Sequence, residues 1–239
     1  MHEKSEDTMR TTYPGIFTLS TLTRTRGVVS ALLLSSVLWA TDGWAQVNLL
    51  SNPDFVVAVG LTNWTAFGGA NGTQIHEPDE DVGNVAASGA ADLSLNAATA
   101  AGDQSGISQC VVVAPTTNYN YGTRVKVPMG QTPGTVFMFV EVEFFSGAGC
   151  LAANTLGGEG QGGTIGAIDY PLSNTVWYGI PGTVPGTAQT VMSPVGAGSA
   201  VVRLYLERNG GTTTATAFFD NPFLGIGVIP VELQEFVVE

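Results

Sequence analysis

Two glutamates, Glu141 and Glu143, interrupt the apolar run FMFVEVEFF at residues 137–145. Hydrolysis of a glycosidic bond uses two carboxylates flanking that bond, one of them protonated. At i and i+2 on a strand the pair shares one face, about 7 Å apart by the rise per residue. Spacing therefore admits the chemistry, but Arg124 and Lys126, on a neighbouring alternating segment, argue against it: a facing base holds a carboxylate ionised and spoils it as an acid. A serine triad is no better supplied. The histidine beyond the leader, His76, opens the acidic, turn-like run HEPDEDVG, with no nucleophile motif near it. Glu77, Asp79, Glu80 and Asp81 of that run offer oxygens to a cation, yet lack the glycine and glutamate placement of an EF-hand and read as a solvated loop. No enzymatic activity is expected. One carboxylate stands apart: Asp220 lies inside the aromatic, apolar segment TAFFDNPFLG at residues 216–225.

The elements that position these groups read as strands. Period-two alternation runs through YNYGTRVKV (119–127), FMFVEVEFF (137–145), AVVRLYLER (200–208) and TATAFFDNPFL (214–224), with further candidates in ADLSLNA, GISQCVVVA and VWYGIPGTV. Turn signals such as SGAG, NGG, APTTN and PMGQTPG separate them. Eight or so strands with this punctuation predict an all-β, antiparallel sandwich or jelly roll. Alternation also assigns faces. Met138, Val140, Val142 and Phe144 share one side, leaving Glu141 and Glu143 on the other; Val202, Leu204 and Leu206 oppose Arg203, Tyr205 and Glu207; Tyr121, Thr123, Val125 and Val127 oppose Arg124 and Lys126. If the three strands share a sheet, these bases, acids and the tyrosine meet on its open face. One reading is a solvated lattice of cross-strand ion pairs, each worth under about 1 kcal/mol. The other is a ligand platform of Glu141, Arg203, Tyr205, Arg124 and Glu143, whose charged groups bond sugar hydroxyls while the aromatic ring stacks on sugar rings.

The first 45 residues read as a signal peptide. Arg24 and Arg26 precede the apolar run GVVSALLLSSVLWA, and small residues lead to cleavage after Ala45. That run is shorter than the roughly 20 residues that span a bilayer, so no integral membrane segment is expected in the mature chain; Met9 stands as an alternative start. Beyond residue 45 the chain keeps sixteen acids against four bases, Arg124, Lys126, Arg203 and Arg208. That balance argues against nucleic acid and anionic membrane as partners, since both need clustered Lys and Arg, and it is compatible with neutral glycans or divalent cations. Both cysteines, Cys110 and Cys150, lie in the exported part, where an oxidising compartment favours a disulfide. Two buried free thiols are the alternative.

In order along the chain, NLLSNPDF, LTNWTAF, PDEDVGNVAASGAADLSL, ISQCVVVAPTTNYNYGTRVKVPMG, VEVEFFSGAGC and AVVRLYLERNGG…AFFDNPFL resemble the galactose-binding-like jelly roll of bacterial secreted proteins related to carbohydrate-binding modules, over about residues 48–225. The resemblance implies a structural calcium near the chain ends, held by Asp220 with groups of Asn52 or Asp54, and oxygen-rich sites of this kind suit that ion. The alternative is that Asp220 hydrogen-bonds backbone at the strand's edge. It also implies core positions for Trp64 and Trp177, which leaves Tyr205, Tyr178 and Tyr170 as candidate surface aromatics. The tail from residue 226 ends in IPVELQEFVVE (229–239), which resembles the Pro-Val-Glu-Leu segment that follows many exported bacterial domains and reads as a terminal strand or linker. Two functions follow as expectations: a secreted, non-catalytic module that binds a polysaccharide or other glycan, or a structural or adhesive exoprotein without a sugar site. The step from this fold to either is analogy.

Overall fold

The computed structural model describes residues 47–167, 170–180 and 189–226. The expected leader and the tail beyond Ile226 lie outside them. The strands are β1 (Val47–Asn48), β2 (Thr65–Gly68), β3 (Gly72–Glu77), β4 (Ala90–Leu95), β5 (Gln104–Val112), β6 (Asn118–Lys126), β7 (Val136–Ser146), β8 (Thr155–Thr164), β9 (Tyr178–Ile180), β10 (Gln189–Met192), β11 (Ala197–Arg208) and β12 (Ala215–Ile226). One sheet runs β10-β6-β12-β4-β3, with β1 added to β12 and β9 to β6; the other runs β2-β5-β11-β7-β8. Every strand pair is antiparallel. This is the all-β antiparallel sandwich that the alternation predicts.

Alternation explains the core. On β7 the inward residues Val136, Met138, Val140, Val142 and Phe144 are buried, as are Val202, Leu204 and Leu206 on β11. Leu93, Leu95, Tyr121, Val125 and Phe219 meet them from the other sheet within one core. Burying each large apolar side chain contributes roughly 1.5–3 kcal/mol. Phe55 and Trp64 extend this core beneath the first loop, with ring centroids 5.6 Å apart.

Three expectations are corrected. The segment 119–127 does not share a sheet with 137–145 and 200–208: β6 pairs with β12, β9 and β10, whereas β7 pairs with β11 and β8. Alternation fixes which face a residue occupies but not which strand lies beside it, and the connection 127–135 carries the chain from one sheet to the other. Trp177 is not in the core; it is half-buried, with the Lys126 ammonium 5.1 Å over its ring. His76 belongs to β3 rather than to a turn, and its Nε2 lies 2.8 Å from the Phe55 carbonyl oxygen.

The DNP step in β12 is a bulge. Asp220 pairs with Arg124 and Phe223 with Gly122, so one extra residue is taken up between them. Asn221 adopts φ 45° there, a left-handed conformation that asparagine tolerates better than most residues. The break in the ladder accommodates Pro222, which has no N–H to pair. The cysteines form a disulfide, Cys110–Cys150, across a sequence separation of 40. Closing such a loop is worth about 4 kcal/mol in the chain-entropy account.

Candidate functional site

The outer face of the five-stranded sheet gathers four of the five expected ligand-binding residues. Arg203 on β11 lies opposite Glu141 on β7. Its guanidinium bridges both glutamates, Nη1 to Glu141 Oε1 at 2.7 Å and Nη2 to Glu143 Oε2 at 2.6 Å. The Tyr205 hydroxyl donates to the second Glu141 oxygen at 3.0 Å, and the Thr155 hydroxyl donates to Glu143 at 2.6 Å. Burial alone would raise the Glu143 pKa, but the Thr155 hydroxyl and Arg203 together hold it below the usual carboxylate range. Tyr205 is pushed up, first by burial and then by the Glu141 charge. The fifth residue, Arg124, is on β6 in the other sheet and takes no part.

An aromatic row crosses the same face. Phe67, Gly106, Tyr205, Phe139 and Gly162 stand opposite one another on β2, β5, β11, β7 and β8. The Tyr205 ring stacks on Phe139 with centroids 5.0 Å apart and meets Phe67 edge-on at 6.0 Å. Glycine makes this possible: a Cβ at Gly106 would sit 2.6 Å from the Phe67 ring, and one at Gly162 would sit 2.6 Å from the Phe139 ring. The rings lie down over bare backbone. Tyr205 is itself only 8% exposed, so the half-buried Phe67 and Phe139, which alternation alone did not single out, carry the accessible ring surface. Their signal in the sequence was the glycine opposite each.

The outer face of the other sheet is covered around Asp220 and Lys126. Val82, in the loop after β3, donates its N–H to Asp220 Oδ2 at 2.9 Å, and Asn221 donates to Oδ1 at 2.7 Å. Asp220 is fully buried. Its pKa is pushed up to about 7, first by burial and further by Asp81 and Asp54, against the pull of the two N–H donors. Beside it, Lys126 pairs with Glu80 and lies over Trp177 and Phe218. Asp81 Oδ2 accepts the Val85 N–H at 2.6 Å, so two acids of the HEPDEDVG run are committed within the protein.

Of the residues expected to hold calcium, Asp220 already accepts a backbone N–H at each carboxylate oxygen. Asp54 and Asp81 lie near enough to Asp220 to raise its pKa. Asn52 does not fit: its Oδ1 accepts the Val56 N–H at 2.9 Å and its Nδ2 donates to the Gly60 carbonyl at 2.7 Å. Among the described residues, no three His, Cys, Asp or Glu side chains form a ready metal site. Of the candidate surface tyrosines, Tyr170 is buried and Tyr178 half-buried. No helix among the described residues is long and apolar enough to cross a membrane.

No family model matches the chain, and no curated protein matches it. Solved structures do. The enzymatically active domain of tailspike protein 4 from bacteriophage CBA120 is 16% identical with TM-score 0.50, the match covering 77% of this chain and 22% of that one. An arabinose-bound α-L-arabinofuranosidase is 15% identical with TM-score 0.50, covering 77% and 27%. The carbohydrate-binding module TmCBM61 in complex with β-1,4-galactotriose is 15% identical with TM-score 0.46, covering 74% and 97%. This chain thus spans about a quarter of the length of the first two, and at such identities the likeness is one of fold alone.

Proposed function

We propose that this protein is an exported, non-catalytic carbohydrate-binding module whose ligand lies on the outer face of the five-stranded sheet. The observation that carries the reading is the Glu141–Arg203–Glu143 bridge beside the Phe67–Tyr205–Phe139 row. A sugar presents hydroxyls, which donate and accept, and apolar C–H faces, which stack on rings. One guanidinium and two carboxylates meet the first need, and rings lying flat meet the second. The same bridge speaks against glycoside hydrolysis at this pair, because Arg203 engages an oxygen of each carboxylate and helps to hold Glu143 below the usual carboxylate range, which removes it as a proton donor.

Affinity electrophoresis through gels containing soluble plant, algal and bacterial polysaccharides tests the reading. Retardation by at least one gel is expected, lost in Glu141→Ala and Arg203→Ala while the melting temperature stays within a few degrees. Free migration through every gel would overturn it in favour of a structural or adhesive exoprotein. Calcium belongs to the same proposal as a stabilising ion beside Asp220 and Asp54. Added calcium should raise the melting temperature of the unmodified protein but not of Asp54→Asn, and an equal response in both would remove the ion.

A further inference from the structure

The interior margin beneath β8 is polar where the β7 positions beside it are apolar. On β8 the positions opposite Phe144, Val142, Val140 and Met138 are Gly157, Glu159, Gln161 and Gly163. These share the inward face of their β7 partners, where a sandwich normally continues its hydrophobic layer. Tyr170 fills one of the gaps: a Cβ at Gly163 would lie 2.3 Å from its ring. At Glu159 and Gln161 the sequence instead offers a carboxylate and a carboxamide.

Facing them from β6, whose Tyr119 ring lies 6.5 Å from that of Phe144 on β7, is Tyr121, wholly buried, whose hydroxyl makes no hydrogen bond of normal geometry. Burial, reinforced by the Glu159 charge, pushes its pKa up to about 12, with the Gln161 side chain acting in the opposite direction. Gln189 on β10 is the register partner of Tyr121; opposite residues of an antiparallel pair project to one face, and the burial of Val191 on the same strand confirms that this face is inward. Four polar groups from three strands therefore converge at the edge of the core. A buried hydroxyl without a partner is destabilising, so the interior is not at its most stable there.

The chemistry of the set selects a ligand class. With no lysine or arginine among these groups, an anion finds no counter-charge. With one carboxylate among them, a cation finds too few hard oxygens. A phenol, two carboxamides and one carboxylate supply mixed donors and acceptors, which suit the adjacent hydroxyls of a neutral sugar ring. We propose that this margin is a second binding site, distinct from the outer face, that takes a single neutral sugar residue. Glu159 is exposed and Gln161 half-buried, so rotation of the Gln161 side chain opens the path to the Tyr121 hydroxyl. The residue is either a free monosaccharide or the end of a chain.

Saturation-transfer NMR on the intact protein, with glucose, galactose, mannose, xylose and arabinose, their methyl glycosides and the matching trisaccharides, tests this. At least one sugar should receive saturation, and Tyr121→Phe and Gln161→Ala should each weaken it by about tenfold or more, the scale of one lost hydrogen bond in a buried site. The measurement is made in the Arg203→Ala background, which removes the outer-face site, so the saturation seen there belongs to this one. Contact with glycosides and trisaccharides identifies a chain end; contact with free sugars alone identifies a monosaccharide. Tyr121→Phe should melt at the same temperature or higher, because it removes an unpaired polar atom. No saturation of any sugar, unchanged binding in both variants, or a clearly lowered melting temperature for Tyr121→Phe would each overturn the proposal.

Discussion

Acids stand on the outer faces of both sheets, and the two faces treat them in opposite ways. Glu141 and Glu143 are half-exposed and share one arginine, which helps to hold Glu143 ionised. Asp220 lies under the loop after β3, and Asp92 on β4 carries a buried carboxylate oxygen without a partner; burial pushes their pKa values up to about 7 and about 6. The difference lies in solvent and partner rather than in residue type. One face keeps fixed charges that can exchange partners with a ligand, while the other uses its acids as internal fasteners whose charge depends on pH.

The largest break in this comparison should come from Asp220→Ala. It strands the Val82 and Asn221 N–H groups, each donating to this carboxylate, and should cost about 3 kcal/mol in urea unfolding. Glu143→Ala should cost under about 1 kcal/mol, as for a surface ion pair. Next comes pH. For Asp220 and Asp92 the folded pKa is raised, so between the unfolded value of 3.8 and the folded values of about 7 and 6 the folded state binds more protons. Stability should therefore fall as pH rises from about 4 to 7, by roughly 3 kcal/mol for Asp220. Thermal melts in chelator-containing buffer check this, and Asp220→Asn should flatten most of the slope. Glu143, with its lowered pKa, contributes in the reverse sense, gaining stability as pH rises through the acid range. The smallest effect is ionic: 1 M salt should change the Arg203→Ala stability difference by under about 0.5 kcal/mol, since exposed pairs are largely screened.

Much of this was legible in the sequence. The alternation in β6, β7 and β11 gave their inward residues correctly, because period-two burial leaves a direct imprint. The Glu141–Arg203–Tyr205 cluster followed from it. What escaped had no such imprint. β8 reads TLGGEGQGGT, and glycine has no side chain with which to alternate. The sheet to which β6 belongs is set by long-range pairing with β12, which face assignment does not reveal. Trp177 misled because an indole on a sheet's outer side can be sheltered by a lysine instead of a core. The burial of Asp220 was readable from its apolar neighbours, but its cover, the backbone of Val82, comes from 138 residues away.

The pairing of Val47 with Ile226 bears on how the described fold responds to force. The polypeptide enters and leaves the sandwich at adjacent points, so tension between those two residues acts across the short β1–β12 ladder rather than along it. Its hydrogen bonds would open one after another, like a zipper, and the first yield should occur at low load. The remainder, stitched by Cys110–Cys150, would hold to a higher one.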